Sequence, residues 1–412
     1  MSKAQKFYNH QFANGITLLG EEIEGVASAA ISILFPVGSA KDPVGLEGLS
    51  SILVELMAKG AGQYDSREIA DEFDKIGAHR GHSTGIETAS FSASLLAENL
   101  PRVIELFSLM IQQPLLPEEE LENVKELALQ DIVALEDEPA SKVMNELARV
   151  FYPYPFGRSQ LGTTEGITAI THKILADFYR DFARNEKLLI SVAGKFNWQE
   201  IKNQIENLFS SWKGTKDHLT VPSFSEKGNY LHLEQETKQV QIALAYPSVT
   251  FTDPDYYVAR VLNGILSGGM AGRLFVEVRE KRGLVYRVSS SHSAARGRGA
   301  VFAYAGTTPD NAQTTYDVMM KELTGIENGV SEEELNRSKV DIKTAVIMQS
   351  ESSSARASAL VNDWWNLSRL RTIEEIRKGI ESVTAEDIVR FVKKHPVSPV
   401  TMVTLGPKKV NI

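Results

Sequence analysis

The sequence repeats itself once, and that repetition constrains the fold more than any other feature. Four landmarks recur in the same order. The apolar run AAISILFPVGSAKDP ends at Asp42-Pro43, and VQIALAYPSVTFTDP ends at Asp253-Pro254, 211 residues later. The Glu-rich helix starts PEEELENVKELALQDI and SEEELNRSKVDIKTAV place Leu121 and Leu335 at a spacing of 214. Thr171 of ITAITHKILADFYRDF corresponds to Thr384 of IESVTAEDIVRFV, at a spacing of 213. The apolar strands LLISVAG and VTMVTLG close at Gly194 and Gly406, at a spacing of 212. This series describes two homologous domains, residues 1–212 and 229–412. Between them, residues 213–228 are rich in Gly, Pro, Ser and Lys and read as a linker crossing the surface. Two copies joined this way are expected to face each other as a clamshell around a cleft, where ligands commonly bind.

Within the first half, residues 15–36 alternate short apolar runs with Gly and Glu turns and predict the two strands of a hairpin. Leu46 to Lys59 carries Leu46, Leu49, Leu53, Leu56 and Met57 at helical spacing, with Gly60 as the stop. Ser66 is the expected N-cap of a helix running to about Ile76. Glu87 to Leu95 alternates as a strand does, and Asn99-Leu100-Pro101 opens another helix. Pro117 followed by Glu118, Glu119 and Glu120 begins a long acidic helix, with carboxylates at the positive end of its dipole. Strands and helices mix without strict βαβ alternation. The class is therefore α+β, each domain a largely antiparallel sheet with helices on one face.

Composition excludes several chemistries. None of the 412 residues is cysteine, so disulfides, thiolate metal sites and cysteine nucleophiles are absent. A formal charge of −9 argues against a nucleic-acid-binding surface. The longest apolar stretch, Val26 to Ala40, contains Ser, Pro and Gly and is too short to span a bilayer. The N-terminal residues lack a signal-peptide core. The expectation is a cytoplasmic protein without membrane contact.

The stretch Gly48 to Ala61, after the first Asp-Pro step, resembles the active-site helix of the pitrilysin/insulinase-type zinc peptidases, which include the mitochondrial processing peptidases. In that family the helix carries His-x-x-Glu-His and then Lys-Gly-Thr, with two His holding zinc and the Glu acting as general base. Anchoring on Lys59-Gly60 puts Ser51 and Glu55 at the two His positions and Val54 at the base position. The family's third ligand falls on Asp131 in LALQDIVALEDEP. The resemblance implies a degenerate zinc site and no metal or other cofactor in this chain, because imidazole ligation is gone, and no hydrolysis by it alone, because Val54 cannot take a proton from water.

The second half resembles the other side of the same family's site. Ser267-Gly268-Gly269-Met270-Ala271-Gly272-Arg273-Leu274-Phe275 leads to Arg279 and, seven residues on, Tyr286. These match the family's Arg/Tyr pair. An apolar helical run ends at Gly283, an expected C-terminal cap, so Arg279 in the last helical turn and Tyr286 early in a strand can lie side by side. Both are donors suited to a substrate carbonyl or to the oxyanion that forms from it. The resemblance covers nearly the whole sequence. It implies the non-catalytic subunit of a heterodimeric peptidase: a partner subunit with His-x-x-Glu-His would hold the zinc, and peptides would be the substrate. A homodimer is the alternative for the isolated protein. A purely structural role, as in the core proteins of respiratory cytochrome reductase, is the alternative function.

Other features carry less chemistry. Gly268 to Gly272 lacks the Gly-Lys-Ser/Thr ending of a phosphate loop, and the resemblance implies substrate contact by Gly268 and Gly269 instead. His79-Arg80-Gly81-His82 has a His-x-x-His spacing but strand-like flanks, which favours two surface residues. Ser350 to Ser354 reads as a loop or helix cap, Trp364-Trp365 as packing, and the acidic run over 118–138 as a solvated face.

Overall fold

Two mixed β-sheets carry the computed structural model, which describes residues 5–181, 183–214 and 228–411. The first sheet contains β1 (Lys6–Gln11), β2 (Ile16–Glu22), β3 (Ser28–Phe35), β4 (His79–Thr84), β5 (Ala89–Leu96) and β6 (Leu188–Gly194). Their order is β1-β2-β6-β3-β5-β4, and only the β2–β6 pair is parallel. The second sheet contains β7 (Tyr230–Glu234), β8 (Val240–Pro247), β9 (Val285–Ala295), β10 (Arg298–Thr307) and β11 (Thr401–Gly406). Its order, β7-β11-β8-β10-β9, repeats that of β2-β6-β3-β5-β4, again with one parallel pair, β7–β11. The duplication in the sequence is thus a duplication of topology. The class is α+β, and both sheets are packed with helices.

Residues 15–36 do form two strands, β2 and β3, but not a hairpin: β6 lies between them. Every residue of β6, LLISVAG, is buried. A strand apolar on both faces is stable only with neighbours on either side and cover above and below, so it takes the interior position from the sequence-adjacent pair. By contrast, β5 alternates buried and half-buried residues, as a strand with one wetter face should.

The protein forms two compact units. The first takes its residues from 1–134, 158–219 and 349–370; the second takes 135–157, 220–348 and 371–412. These units follow the halves of the sequence except for two segments. The helix Pro139–Phe151, written in the first repeat, packs on β8 and β11 of the second unit. The helix Ser353–Leu367, at the corresponding place in the second repeat, packs on β3 and β6 of the first. The expected linker 213–228 lies, apart from Lys213, Gly214 and Gly228, outside the described residues.

In the first unit one face of the sheet, including Ile31, Ile33, Phe91, Ile190 and Val192, packs with helices Leu49–Met57, Ser66–Lys75 and Leu100–Gln112. The opposite face presents Leu19, Ala30, Leu189 and Ala193, and the helix Ser353–Leu367 covers it with Ala357, Leu360, Val361 and Trp365. Each large apolar side chain buried there contributes about 1.5–3 kcal/mol. Trp364 packs against the same cluster from a half-buried position. Small residues at Ala30, Ala193 and Ala357 let the helix approach closely. The Ser191 hydroxyl donates to the Ala357 carbonyl at 2.7 Å, and the Ser28 and Ser353 hydroxyls lie 3.2 Å apart. Arg356 Nε donates to Glu21 Oε2 at 2.7 Å, with both side chains nearly buried.

Local signals mostly hold. The acidic helix runs from Glu118 to Glu136 and buries only Leu121, Val124 and Lys125. Ser352 caps Ser353–Leu367 by accepting from the Ala355 N–H. One cap differs. The helix Ser66–Lys75 is capped by Asp65, whose carboxylate accepts from the Arg67 and Glu68 N–H groups at 2.9 and 2.8 Å. The Glu68 carboxylate accepts from the Asp65 N–H at 3.0 Å. This reciprocal box satisfies more orphan donors than the Ser66 hydroxyl could. Among the described residues no helix is long and apolar enough to cross a membrane.

Replacing Arg356 by Ala leaves the Glu21 carboxylate buried without its cation. The expected loss is about 3–5 kcal/mol, read as a lower midpoint in urea unfolding followed by circular dichroism.

Candidate functional site

The helix Leu49–Met57 is positioned by the first Asp-Pro step. The buried Asp42 carboxylate accepts from the Gly48 and Ser50 N–H groups, both at 2.8 Å, and from the Ser50 hydroxyl at 2.5 Å. Arg158 donates to the Asp42 carbonyl. Burial pushes the Asp42 carboxyl up from its ordinary value, while the three hydrogen bonds and the Arg158 charge oppose that rise. The acid therefore anchors the N-terminal turn of the helix. In the sequence it is visible only as a landmark of the repeat.

On this helix Val54 is 1% exposed and belongs to the hydrophobic core. Ser51 is half-buried and Glu55 is exposed. The Glu55 carboxylate meets His82 Nε2 of β4 at 2.9 Å. That hydrogen bond holds the Glu55 carboxyl below its ordinary value. His79 and His82 are three residues apart on one strand, so they stand on opposite faces. Asp131 is an exposed residue of the helix Glu118–Glu136. Among the described residues no group of three or more His, Asp or Glu side chains forms a metal-holding cluster. At the three expected ligand positions stand the Ser51 hydroxyl, the Glu55 carboxylate already engaged by an imidazole and the exposed Asp131, and at the expected base position stands the Val54 isopropyl, a set without the imidazole donors that zinc favours.

In the second unit, the helix Tyr256–Ser267 runs into the glycine turn. A Cβ on Gly268 would stand 2.3 Å from the Gly264 carbonyl oxygen, and Gly269 has φ +69°. Both positions therefore require glycine for backbone reasons. Arg273 Nε and Nη2 donate to the two oxygens of Glu334 at 2.5 and 2.9 Å, and Nη2 also donates to the Gly329 carbonyl at 3.0 Å. The Arg273 hydrogen bonds pull the Glu334 carboxyl down to about 2. Arg273 is thus a clamp holding the glycine turn to the acidic helix Glu332–Ser350. The triple Glu of that helix start is visible in the sequence, but its partner is not.

Phe275–Glu280 forms a π-helical turn. Gly283, at φ +61°, ends it: the Gly283 N–H donates to the Arg279 carbonyl at 2.9 Å and the Leu284 N–H to the Val278 carbonyl at 3.1 Å. The backbone then enters β9. The Arg279 guanidinium lies 4.9 Å from the Phe275 ring centre and 5.1 Å from that of Tyr286. Two aromatic faces thus hold the cation. Tyr286 is 79% exposed. Among the described residues neither the Arg279 guanidinium nor the Tyr286 hydroxyl makes a hydrogen bond.

Residues 18–164 match the insulinase (peptidase family M16) profile, and residues 169–340 match that of the peptidase M16 inactive domain. The protein belongs to the M16 insulinase/pitrilysin family and is a zinc-protease homologue. An uncharacterized zinc protease of Rickettsia felis is 28% identical to it over 409 residues, covering 99% of each sequence. The solved peptidase M16 inactive domain from Pseudomonas fluorescens superposes with a TM-score of 0.89 at 22% identity, over 99% of both proteins. One subunit of complex III2 from Candida albicans, with Inz-5 bound, gives a TM-score of 0.83 at 19% identity over 97% of this protein and 96% of that subunit. These two structures establish the shared M16 fold.

The His82–Glu55 contact has a direct readout. In His82→Ala the Glu55 carboxyl should titrate closer to its ordinary value, observable by carboxyl-carbon NMR. Because the native value is depressed, the pair's stabilisation is present above the ordinary carboxylate range and lost as pH falls through the native value. The contribution is small because Glu55 is half solvated.

Proposed function

We propose that this M16 protein is the non-catalytic subunit of a heterodimeric zinc metallopeptidase and lends Arg279 and Tyr286 to a partner's active site. The observation that carries this reading is a contrast in chemistry. Val54 has no group that could accept a proton and lies in the core, whereas Arg279 and Tyr286 sit together with their donors uncommitted among the described residues. Zinc, bound by the partner's His-x-x-Glu-His, would supply the activation of water. Here, the Phe275 and Tyr286 rings hold the Arg279 guanidinium between them without engaging its N–H groups, which stay free to donate. The Tyr286 hydroxyl adds a second donor. Directed at a peptide carbonyl, the pair orients the substrate and stabilises the oxyanion as charge develops. The glycine turn at Gly268 and Gly269 contacts the same substrate. A cysteine-free protein needs no oxidising compartment, which suits a cytoplasmic pair.

The likeness to a subunit of complex III2 supports a second reading, a scaffold without proteolytic role. One experiment separates the two. Hydrolysis of quenched fluorescent peptides is measured for this protein, for a His-x-x-Glu-His partner, and for the mixture. The subunit reading expects turnover chiefly in the mixture, with Arg279→Ala and Tyr286→Phe each lowering kcat on the order of 10²-fold at unchanged thermal midpoint. Equal rates with and without this protein, or with its variants, would establish the scaffold reading; turnover by this protein alone would overturn both.

A further inference from the structure

A second cluster of chemistry lies in the same unit, away from the Arg279–Tyr286 pair. A cavity of about 390 Å³ opens between the helix Tyr256–Ser267 and the end strand β9. The helix contributes Tyr256, Arg260, Asn263 and Ser267, a spacing that puts all four on one face. The strand contributes Ser291 and His292. Arg260 carries the only full charge among the residues lining the cavity. Among the described residues it forms neither an ion pair nor a hydrogen bond. A half-buried guanidinium without a counter-charge gives up hydration and gains nothing in return, so it favours an external anion.

The rest of the wall is arranged around that charge. The Ser290 N–H donates to the Ser267 hydroxyl oxygen at 2.9 Å. The Ser290 hydroxyl donates to Asn263 Oδ1 at 2.9 Å, and Asn263 Nδ2 donates to the Ser290 carbonyl at 3.4 Å. The helix thereby satisfies the outer edge of β9 at Ser290, and the following residues line the cavity. His292 Nε2 lies 3.1 Å from the Val249 carbonyl oxygen, so that nitrogen carries the proton and Nδ1 keeps its lone pair. Burial, together with the Arg260 charge, holds the imidazole below its ordinary value. A neutral His292 therefore offers an acceptor beside a lone cation.

We infer that this cavity is a carboxylate-binding subsite centred on Arg260, with His292 Nδ1 accepting from an adjacent peptide N–H. A planar carboxylate suits the guanidinium fork. That the carboxylate belongs to a peptide rests on the peptidase-subunit reading. It comes either from the C-terminus of a peptide or from an Asp or Glu side chain. Tyr286 and His292 are six residues apart on β9, roughly 20 Å at strand rise. A peptide extended along this strand from the Arg279–Tyr286 pair would place its acidic group about that far from the pair.

The test uses the whole protein alone, by isothermal titration, with three probes. They are N-acetyl-pentaalanine as free acid, the same peptide amidated, and an amidated N-acetyl peptide of four Ala with a central Glu. At least one carboxylate-bearing probe should bind about tenfold or more tighter than the neutral amide. Arg260→Gln should abolish that preference at unchanged thermal midpoint, and His292 ring signals should shift on binding to the unsubstituted protein. Preference for the free acid identifies a C-terminus, and preference for the Glu peptide identifies a side chain. Equal binding of all three probes, no binding at millimolar concentration, or a preference that survives Arg260→Gln would overturn the subsite. Because no turnover is measured, failure here leaves the mixed-subunit assay of Arg279 and Tyr286 untouched.

Discussion

Burial of the central strands on both faces is the constraint on which the architecture depends. β6 and β11 are buried at every position. A strand of that kind requires a second covering layer that its own repeat does not supply. Each unit obtains that layer from a helix written in the other repeat, Ser353–Leu367 in the first and Pro139–Phe151 in the second. The ion pair Arg356–Glu21 and the hydroxyl contacts of Ser191 and Ser353 give the first of these helices a specific seat. Apolar contact alone could slide along the face; a buried charge pair admits one register. Neither repeat therefore contains the whole of one folding unit, and a fragment cut at 212 would expose apolar sheet.

Duplication also explains how the two units carry different chemistry on matching helices. In both repeats a helix follows the Asp-Pro step. In the first, Asp42 grips the helix N-terminus and the sequence sends Val54 into the core, leaving Ser51 and Glu55 outward. In the second, the corresponding helix keeps an apolar side of Val258, Val261, Leu262 and Ile265 and turns a polar stripe toward β9. The packing requirement is the same, so the fold is unchanged. The positions outside the core are free of it, and there the two units differ in chemistry.

The fold is legible in the sequence where the signal is local or repeated. The α+β class, the acidic helix beginning at Glu118 and the turn at Gly283 rest on patterns within a few residues, and the repeat on landmarks that recur at a near-constant spacing. What stays hidden is long-range. Nothing near residues 15–36 announces that a strand from 188–194 will separate β2 from β3, and nothing in 353–367 names the sheet it covers. The Ser66 hydroxyl has the ordinary preference for a cap, but the neighbouring carboxylate of Asp65 paired with Glu68 is the stronger acceptor. At the candidate site, Arg279 and Tyr286 can be placed together because a helix end and a strand start lie seven residues apart. Glu55 with His82, Arg273 with Glu334, and the Arg260 cavity join residues distant in sequence, and no spacing rule reaches them.

Three arginines of the second unit show how partners, not residue type, sort structural from functional roles. Arg273 is matched to Glu334 in a two-point contact and to a backbone carbonyl, and most of its donor capacity is committed. Its charge is cancelled where it stands, so it can hold a turn but recruit nothing. Arg279 is held by two ring faces, which fix its position without using its N–H groups. Among the described residues Arg260 has neither kind of partner, and it borders open volume. Folding restricts a guanidinium in all three cases, yet only the first receives full electrostatic compensation from within the protein. The other two retain donors for an incoming group. Both stand beside residues of β9, Tyr286 in one case and His292 in the other, so a single extended ligand could satisfy them together. That shared strand is what would join the two proposed sites, the Arg279–Tyr286 pair and the Arg260 cavity, into one ligand-binding surface.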